Sequence, residues 1–390
     1  MDFQFTSEQE IMCDSTRQMV KREFEPILAA NDRTRPLPKT EALRIFQILA
    51  QHGLTAPRIP ESAGGSGLKM LDYGIMFEQL PCAIAMAIMA HDGCITRLNG
   101  ECNEEQKARL LPDLIAARKI GCTGTTEPDS GSDLRGIKTR LTRRKDRLVL
   151  NGRKMWVSNA SVCDIMIVTC VETSDSDAHP QFRKVIVERE RSNFETAEIE
   201  TIGLRQGYLG EAVFDDCEVL LENLIESEGD GTRALSTSWN VNRALVGLQA
   251  VNLAQKAFDV ALEYAKVRRQ FGKPIAAHQL VQRNLSDIAT IISASRLLCY
   301  QALSAIDKNE PAVGLAAMAK RFAQVQCSQA VWEAMNVLGS MGLSIEARLE
   351  ELYRDIRMLP LPDGTNEILA LIHGRELTGF AAFRGTDTFK

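Results

Sequence analysis

In the stretch LPLPDGTNEI, Leu359 to Ile368, a single carboxylate, Asp363, stands between Pro362 and Gly364. The flanking residues stiffen the backbone on one side and free it on the other. Two chemistries fit. Asp is a favoured helix N-cap, because its side chain accepts from the unpaired N–H groups of the first turn. An acid held this rigidly also suits a general base. Ile368, Leu371, Ile372 and Leu377 follow at near-helical spacing, which is what a capped helix requires. Other candidate groups are the Ser132–Asp133 pair after Gly131, Trp156, the Arg268–Arg269 pair and Asp92 ahead of Gly93. Taken singly they read as a turn, a core aromatic, a macrodipole complement and a solvated or capping acid.

Composition narrows the chemistry. The chain has 390 residues, 45% hydrophobic and 25% charged, with a net charge of −5. That length suggests two or three soluble domains, and the charge offers no basic footprint for nucleic acid. Ten cysteines show no CxxC, and five histidines have no zinc spacing, so the expectation is free thiols in a reducing cytoplasm and no metal. The N-terminal MDFQFTSEQEIM resembles neither a secretory nor a transit signal. The most apolar run, residues 83–90, is far shorter than a membrane span, so no membrane insertion is expected.

Three regions must position these groups. Residues 1–119 read as helices, with Ser7 and Glu10 at capping-box spacing and Gly53 ending one of them. Residues 120–230 turn strand-like: DIMIVTCVE, RKVIVERE and EAVFDDCEVLL are rich in Val and Ile, and Asn151-Gly152 is a hairpin signal within RLVLNGRKMWVSNA. Residues 231–390 return to long apolar-striped helices, the first running towards Phe271, which implies a bundle. The fold class expected is α+β: a helical domain, a small β domain and a helix bundle.

That order, together with TTEPDSGSDLRGIKT (125–139), NGRKMWVSNA, VRRQFGKPIAAHQLVQ and YRDIRMLPLPDGTNEI, resembles the FAD-dependent acyl-CoA dehydrogenase family over nearly the whole chain. The resemblance implies removal of the α-proton of an acyl-CoA thioester by a carboxylate and hydride transfer from the β-carbon to flavin N5. Asp363 matches the base, and its own N–H the donor to the thioester oxygen, which Gly364 lets come close. Thr125, Thr126, Ser132, Trp156 and Ser158 match flavin contacts, as do Thr365 and Glu367 after the base. Arg268, Phe271, Gln279 and the Asn336–Gly342 segment, with Gly339 and Ser340, match contacts to a neighbouring subunit's FAD. The resemblance therefore implies a homo-oligomer, most often a tetramer, and an electron-transfer flavoprotein as acceptor. Arg243, Gly364 and Asp92 fall on the substrate side.

The departures are informative. The family's usual base is Glu; Asp is one methylene shorter, a retreat of roughly 1.5 Å, which suits a substrate bulkier at the α-carbon, branched or cyclic. Some members carry the base one residue before an Arg matching Arg243, but here that residue is Asn242. Asn336 and Ser340 replace a more usual Gln and Gly. Asp92, if it faces the pocket, argues against a long plain acyl chain and offers a second proton acceptor. The same scaffold also supports oxidases, monooxygenases, reductases and non-catalytic flavin binders, which flavin bleaching by acyl-CoA distinguishes.

Overall fold

The computed structural model describes residues 4–172, 181–226 and 232–382. Six helices come first: α1 (Ser7–Met19), α2 (Glu25–Ala30), α3 (Lys39–Gln51), α4 (Met70–Glu78), α5 (Cys82–Glu101) and α6 (Glu104–Ile115). The expected capping box sits one residue earlier than Ser7 and Glu10. Thr6 is the cap, accepting from Gln9 N–H, while Gln9 Oε1 accepts from Thr6 N–H. Thr6 keeps an extended ψ of 159°, which leaves Ser7 as the first helical residue. α3 ends as expected before Gly53, at φ +71°.

The middle region is one eight-stranded sheet of β1 (Gly121–Gly124), β2 (Arg140–Arg144), β3 (Arg147–Ser158), β4 (Ile165–Glu172), β5 (Gln181–Glu188), β6 (Glu195–Glu198), β7 (Leu209–Leu220) and β8 (Leu224–Ile225). Its order is β6-β7-β3-β2-β4-β5-β8, with β1 lying parallel to β4. The Asn151-Gly152 hairpin expected from sequence is not there. β3 runs straight through those residues, and β2 turns into β3 at residues 145–146 instead. Asn-Gly serves a register shift against β7. Asn151 and Asp216 bond each other across it, Asp216 N–H donating to Asn151 Oδ1 at 2.7 Å, and Gly152 sits at φ +150°. A Cβ on Gly152 would lie 2.6 Å from Thr139 Oγ1, so the glycine is needed for a bulge rather than a turn.

The rest is helical: α7 (Thr232–Val267), α8 (Gln279–Asp307), α9 (Val313–Leu338), α10 (Leu349–Met358) and α11 (Asn366–Thr378), with β9 (Arg269–Gln270) and β10 (Lys273–Pro274) between α7 and α8. α7 stops at Val267 instead of running to Phe271. Phe271 and Gly272, at φ +51° and +77°, make the two-residue turn of a small hairpin. α8 is long and apolar enough to cross a membrane by composition, yet Leu285, Ile288, Ile292 and Cys299 bury its stripe in the bundle. The α+β architecture is the one expected. Helix gives way to strand between Ile115 and Gly121, while the limit at 230 and 231 and the ends at 1 and 390 lie outside the described residues. All ten cysteines are free and buried.

Candidate active site

A cavity of about 1150 Å³ opens where α5, the sheet and the α10–α11 loop meet. It exceeds the roughly 300–1,000 Å³ of an ordinary small-molecule site, so it has room for more than one ligand. Thr125, Thr126, Ser132, Trp156, Ser158, Arg243, Asp363, Gly364 and Thr365 all line it. Residues more than 230 positions apart in the chain thus face one space.

The loop carrying Asp363 is held by cations. Lys320, fully buried on α9, donates to the carbonyls of Pro362 (2.6 Å) and Gly364 (2.7 Å) and more weakly to that of Pro360 (3.4 Å). Arg243 Nε donates to Asp363 O at 3.1 Å. The residues before, at and after the base are therefore clamped through their main chain, leaving the carboxylate for chemistry. Asp363 itself takes φ +53°, uncommon for a non-glycine residue, and Gly364 takes φ +107°. Burial pulls the Lys320 ammonium down to about 8, against the attraction of Asp363. The helix cap is Thr365, whose hydroxyl accepts from Ile368 N–H, so Asp363 is not spent on capping α11.

Asp92 is neither solvated nor a lining residue of the cavity. It is fully buried, and its Oδ2 lies 2.6 Å from Arg58 Nε, an ion pair without hydrogen-bond alignment. Burial raises the Asp92 carboxyl to about 6, opposed by Arg58. Arg58 in turn donates through Nη2 to Asn242 Oδ1 at 2.6 Å. Because a guanidinium can only donate, this contact turns the Asn242 amide so that its NH₂ faces Asp363 Oδ1, a long 3.5 Å away. Asp92 therefore reaches the base only through Arg58 and Asn242.

The TTEPDSGSD stretch works by a similar division. Glu127 is buried and accepts from Lys154 Nζ (2.7 Å), Lys138 N–H (2.6 Å) and Thr139 N–H (2.9 Å), while Lys154 also donates to Thr125 O. The acid pins the loop to β3, and Thr125, Thr126 and Ser132 are left facing the cavity. Across from them Trp156, at φ +59°, is 50% exposed. A large aromatic held open over a cavity rimmed with hydroxyls fits the face and edge of an isoalloxazine.

Other expected residues lie apart. Glu367 is exposed in the first turn of α11 and does not line the cavity. Arg268, Phe271, Gln279, Asn336, Gly339 and Ser340 are exposed and outside the cavity, Phe271 at 94%. Lys320, Arg58, Glu127 and Arg97 were not singled out from sequence. Lys320 did carry a signal, a lone cation among Ala316, Ala317, Ala319 and Ala323 on a buried face.

The acyl-CoA dehydrogenase N-terminal, middle and C-terminal domain families match residues 6–118, 122–217 and 229–378. An acyl-CoA dehydrogenase of Bacillus subtilis is 31% identical, the alignment covering 96% of this chain and 99% of that one. A cyclohex-1-ene-1-carbonyl-CoA dehydrogenase of Geobacter metallireducens is 32% identical over 95% and 98% of the two chains. Among solved structures, butyryl-CoA dehydrogenase from Megasphaera elsdenii superposes with a TM-score of 0.88 at 28% identity, covering 97% of this chain and all of that one.

Proposed function

The chain belongs to the acyl-CoA dehydrogenase family, FAD-dependent oxidoreductases, and from that premise we propose that it desaturates a short, branched or cyclic acyl-CoA with Asp363 as the base. The observation that carries this reading is the clamp on residues 360–364. Lys320 and Arg243 fix the loop carbonyls, so the one unspent carboxylate on the loop faces the cavity.

Thr125, Thr126, Ser132, Trp156 and Ser158 would hold the flavin, which supplies the acceptor for the β-hydrogen and its electron pair. Asp363 takes the α-proton at its carboxylate. Its N–H donates to the thioester oxygen, where negative charge grows as the proton leaves. Asn242, oriented by Arg58, donates to the carboxylate and keeps it directed at the substrate. The shorter base suits an α-carbon that carries a branch or ring, in keeping with the cyclic substrate in the Geobacter relative's name. Arg268, Phe271, Gln279, Asn336, Gly339, Ser340 and Glu367 are assigned to cofactor contacts, most of them across a subunit boundary in a homotetramer. The exposed Phe271, Leu280, Trp332 and Ile345 on the helical region support association. An electron-transfer flavoprotein is the proposed acceptor and the cytoplasm the proposed compartment.

Anaerobic titration of the FAD-loaded protein with straight, branched and cyclic acyl-CoAs, with and without a free carboxylate on the acyl group, tests the reading. Bleaching of the oxidised flavin band by a branched or cyclic member is the expected result. A flavin that no member bleaches contradicts dehydrogenation.

A further inference from the structure

Arg97 has no place in the proton-abstraction scheme, yet it lines the cavity as a buried charge. α5 presents Met86, Ala90, Gly93 and Arg97 to the cavity, each three or four residues after the last, so they form one face. The face is apolar at Met86 and Ala90 and empty at Gly93, where a Cβ would meet nothing within 4 Å. It then ends in a guanidinium about 6 Å further along the helix. Arg97 is 8% exposed, and its Nη1 is buried with no hydrogen-bond partner.

Neighbouring acids are committed elsewhere. Asp92 pairs with Arg58 and Glu101 with Lys184, at 2.6 Å in each case. Burial disfavours the Arg97 charge, and Glu101 and, more weakly, Asp363 attract it, but among the described residues Arg97 has no ion pair within 4 Å. Around Asp363 stand three buried cations, Arg97, Arg243 and Lys320. The loop carbonyls satisfy Lys320, and Asp363 O with Asn240 Oδ1 satisfies Arg243. Arg97 alone lacks its acceptor. Unlike a lysine, a guanidinium does not escape by losing its proton. An apolar acyl chain filling the slot would strip its water and leave the charge unpaired, which is costly.

We infer that Arg97 is an anion subsite at the end of the acyl pocket, and that the substrate is a short CoA thioester whose acyl group carries a second, free carboxylate. This deepens the dehydrogenase reading and rests on it. The carboxylate pairs with Arg97 while the α-carbon lies at Asp363. Arg97 and Asp363 line the same cavity, so one acyl group can span the two.

The test uses FAD-loaded enzyme and two non-reducible CoA thioethers of equal chain length, one ending in carboxylate and one in methyl, with affinities measured by calorimetry. The wild type should bind the carboxylate form at least about tenfold more tightly, in line with a charge-assisted hydrogen bond. Arg97→Met should erase the ratio, and Arg97→Lys should retain part of it. A general packing defect would weaken both ligands alike and leave the ratio unchanged. A wild type that binds both forms equally, or prefers methyl, overturns the subsite while leaving the dehydrogenase reading intact, with no variant needed. Persistence of the preference in Arg97→Met also overturns it. Failure to bind either thioether overturns both readings.

Discussion

Replacing Lys320 with methionine removes the clamp while keeping a side chain of similar length. Two carbonyls, of Pro362 and Gly364, lose a donor at 2.6 and 2.7 Å. Each acceptor left buried costs about 1–3 kcal/mol. Against this, the wild type bears the burden of a buried ammonium. Its pKa of about 8 lies well below the ordinary ~10.4, a penalty on the order of 3 kcal/mol. The two largely offset, so unfolding free energy should change by no more than about 3 kcal/mol. Catalysis has no such offset. Releasing the loop displaces the Asp363 carboxylate by about 1 Å, which costs roughly 100-fold in kcat.

The pH dependence of Lys320 gives a second readout. Folded Lys320 loses its proton near pH 8, and the unfolded chain near pH ~10.4. Between these values the unfolded state binds the extra proton. This group's contribution to stability therefore rises with pH across that window, its burial penalty being present in full below it. Activity should move the other way, falling above pH 8 as the clamp loses its charge, and Lys320→Met should lack that alkaline limb. The assays are stopped-flow flavin reduction across pH and urea unfolding of the same samples. A variant with kcat within threefold of wild type and an unchanged alkaline limb refutes the clamp.

Three further outcomes follow from the same contacts. Asn242→Asp sets a second carboxylate where an amide now approaches Asp363 Oδ1 at 3.5 Å; like charges resist joint ionisation, so the acid limb of the kcat/KM profile should move up by about one unit or more, and an unmoved limb rejects the pairing. Asp92→Ala leaves Arg58 as an uncompensated buried charge and should cost about 3–5 kcal/mol in urea unfolding, with a loss below 1 kcal/mol counting against the ion pair. Gly152→Val forces a Cβ to within 2.6 Å of Thr139 Oγ1 at φ +150° and should destabilise by at least about 3 kcal/mol; a near-neutral result in thermal unfolding rejects the bulge.

The alternation of helical and strand-rich segments was legible in the sequence because burial imposes periods of 3.6 and 2 on apolar residues. Asn151-Gly152 misled for a physical reason: the backbone freedom that suits a hairpin turn also suits a bulge, and only pairing with β7, some sixty residues away, selects between them. Asp363 drew notice through its proline and glycine neighbours, which left cap and base both open until the family resemblance favoured the base, and its clamp left no sign. Lys320 and Arg243 lie far from it in sequence, and a buried cation satisfied by carbonyls leaves no mark beyond an odd charge on an apolar face. Asp92 was noticed for its charge and assigned to the pocket. The structure shows that charge cancelled by Arg58, a residue the sequence did not mark out.

The role of Asp363 is tested most directly by the Asp363→Asn protein, mixed anaerobically with an acyl-CoA that bleaches the wild type. Asn keeps the side chain's shape and the backbone N–H but cannot accept the α-proton. FAD content and ligand affinity should stay close to wild type while the rate of flavin reduction falls by roughly 10²- to 10⁴-fold. Reduction at the wild-type rate in that variant would show that the base lies elsewhere.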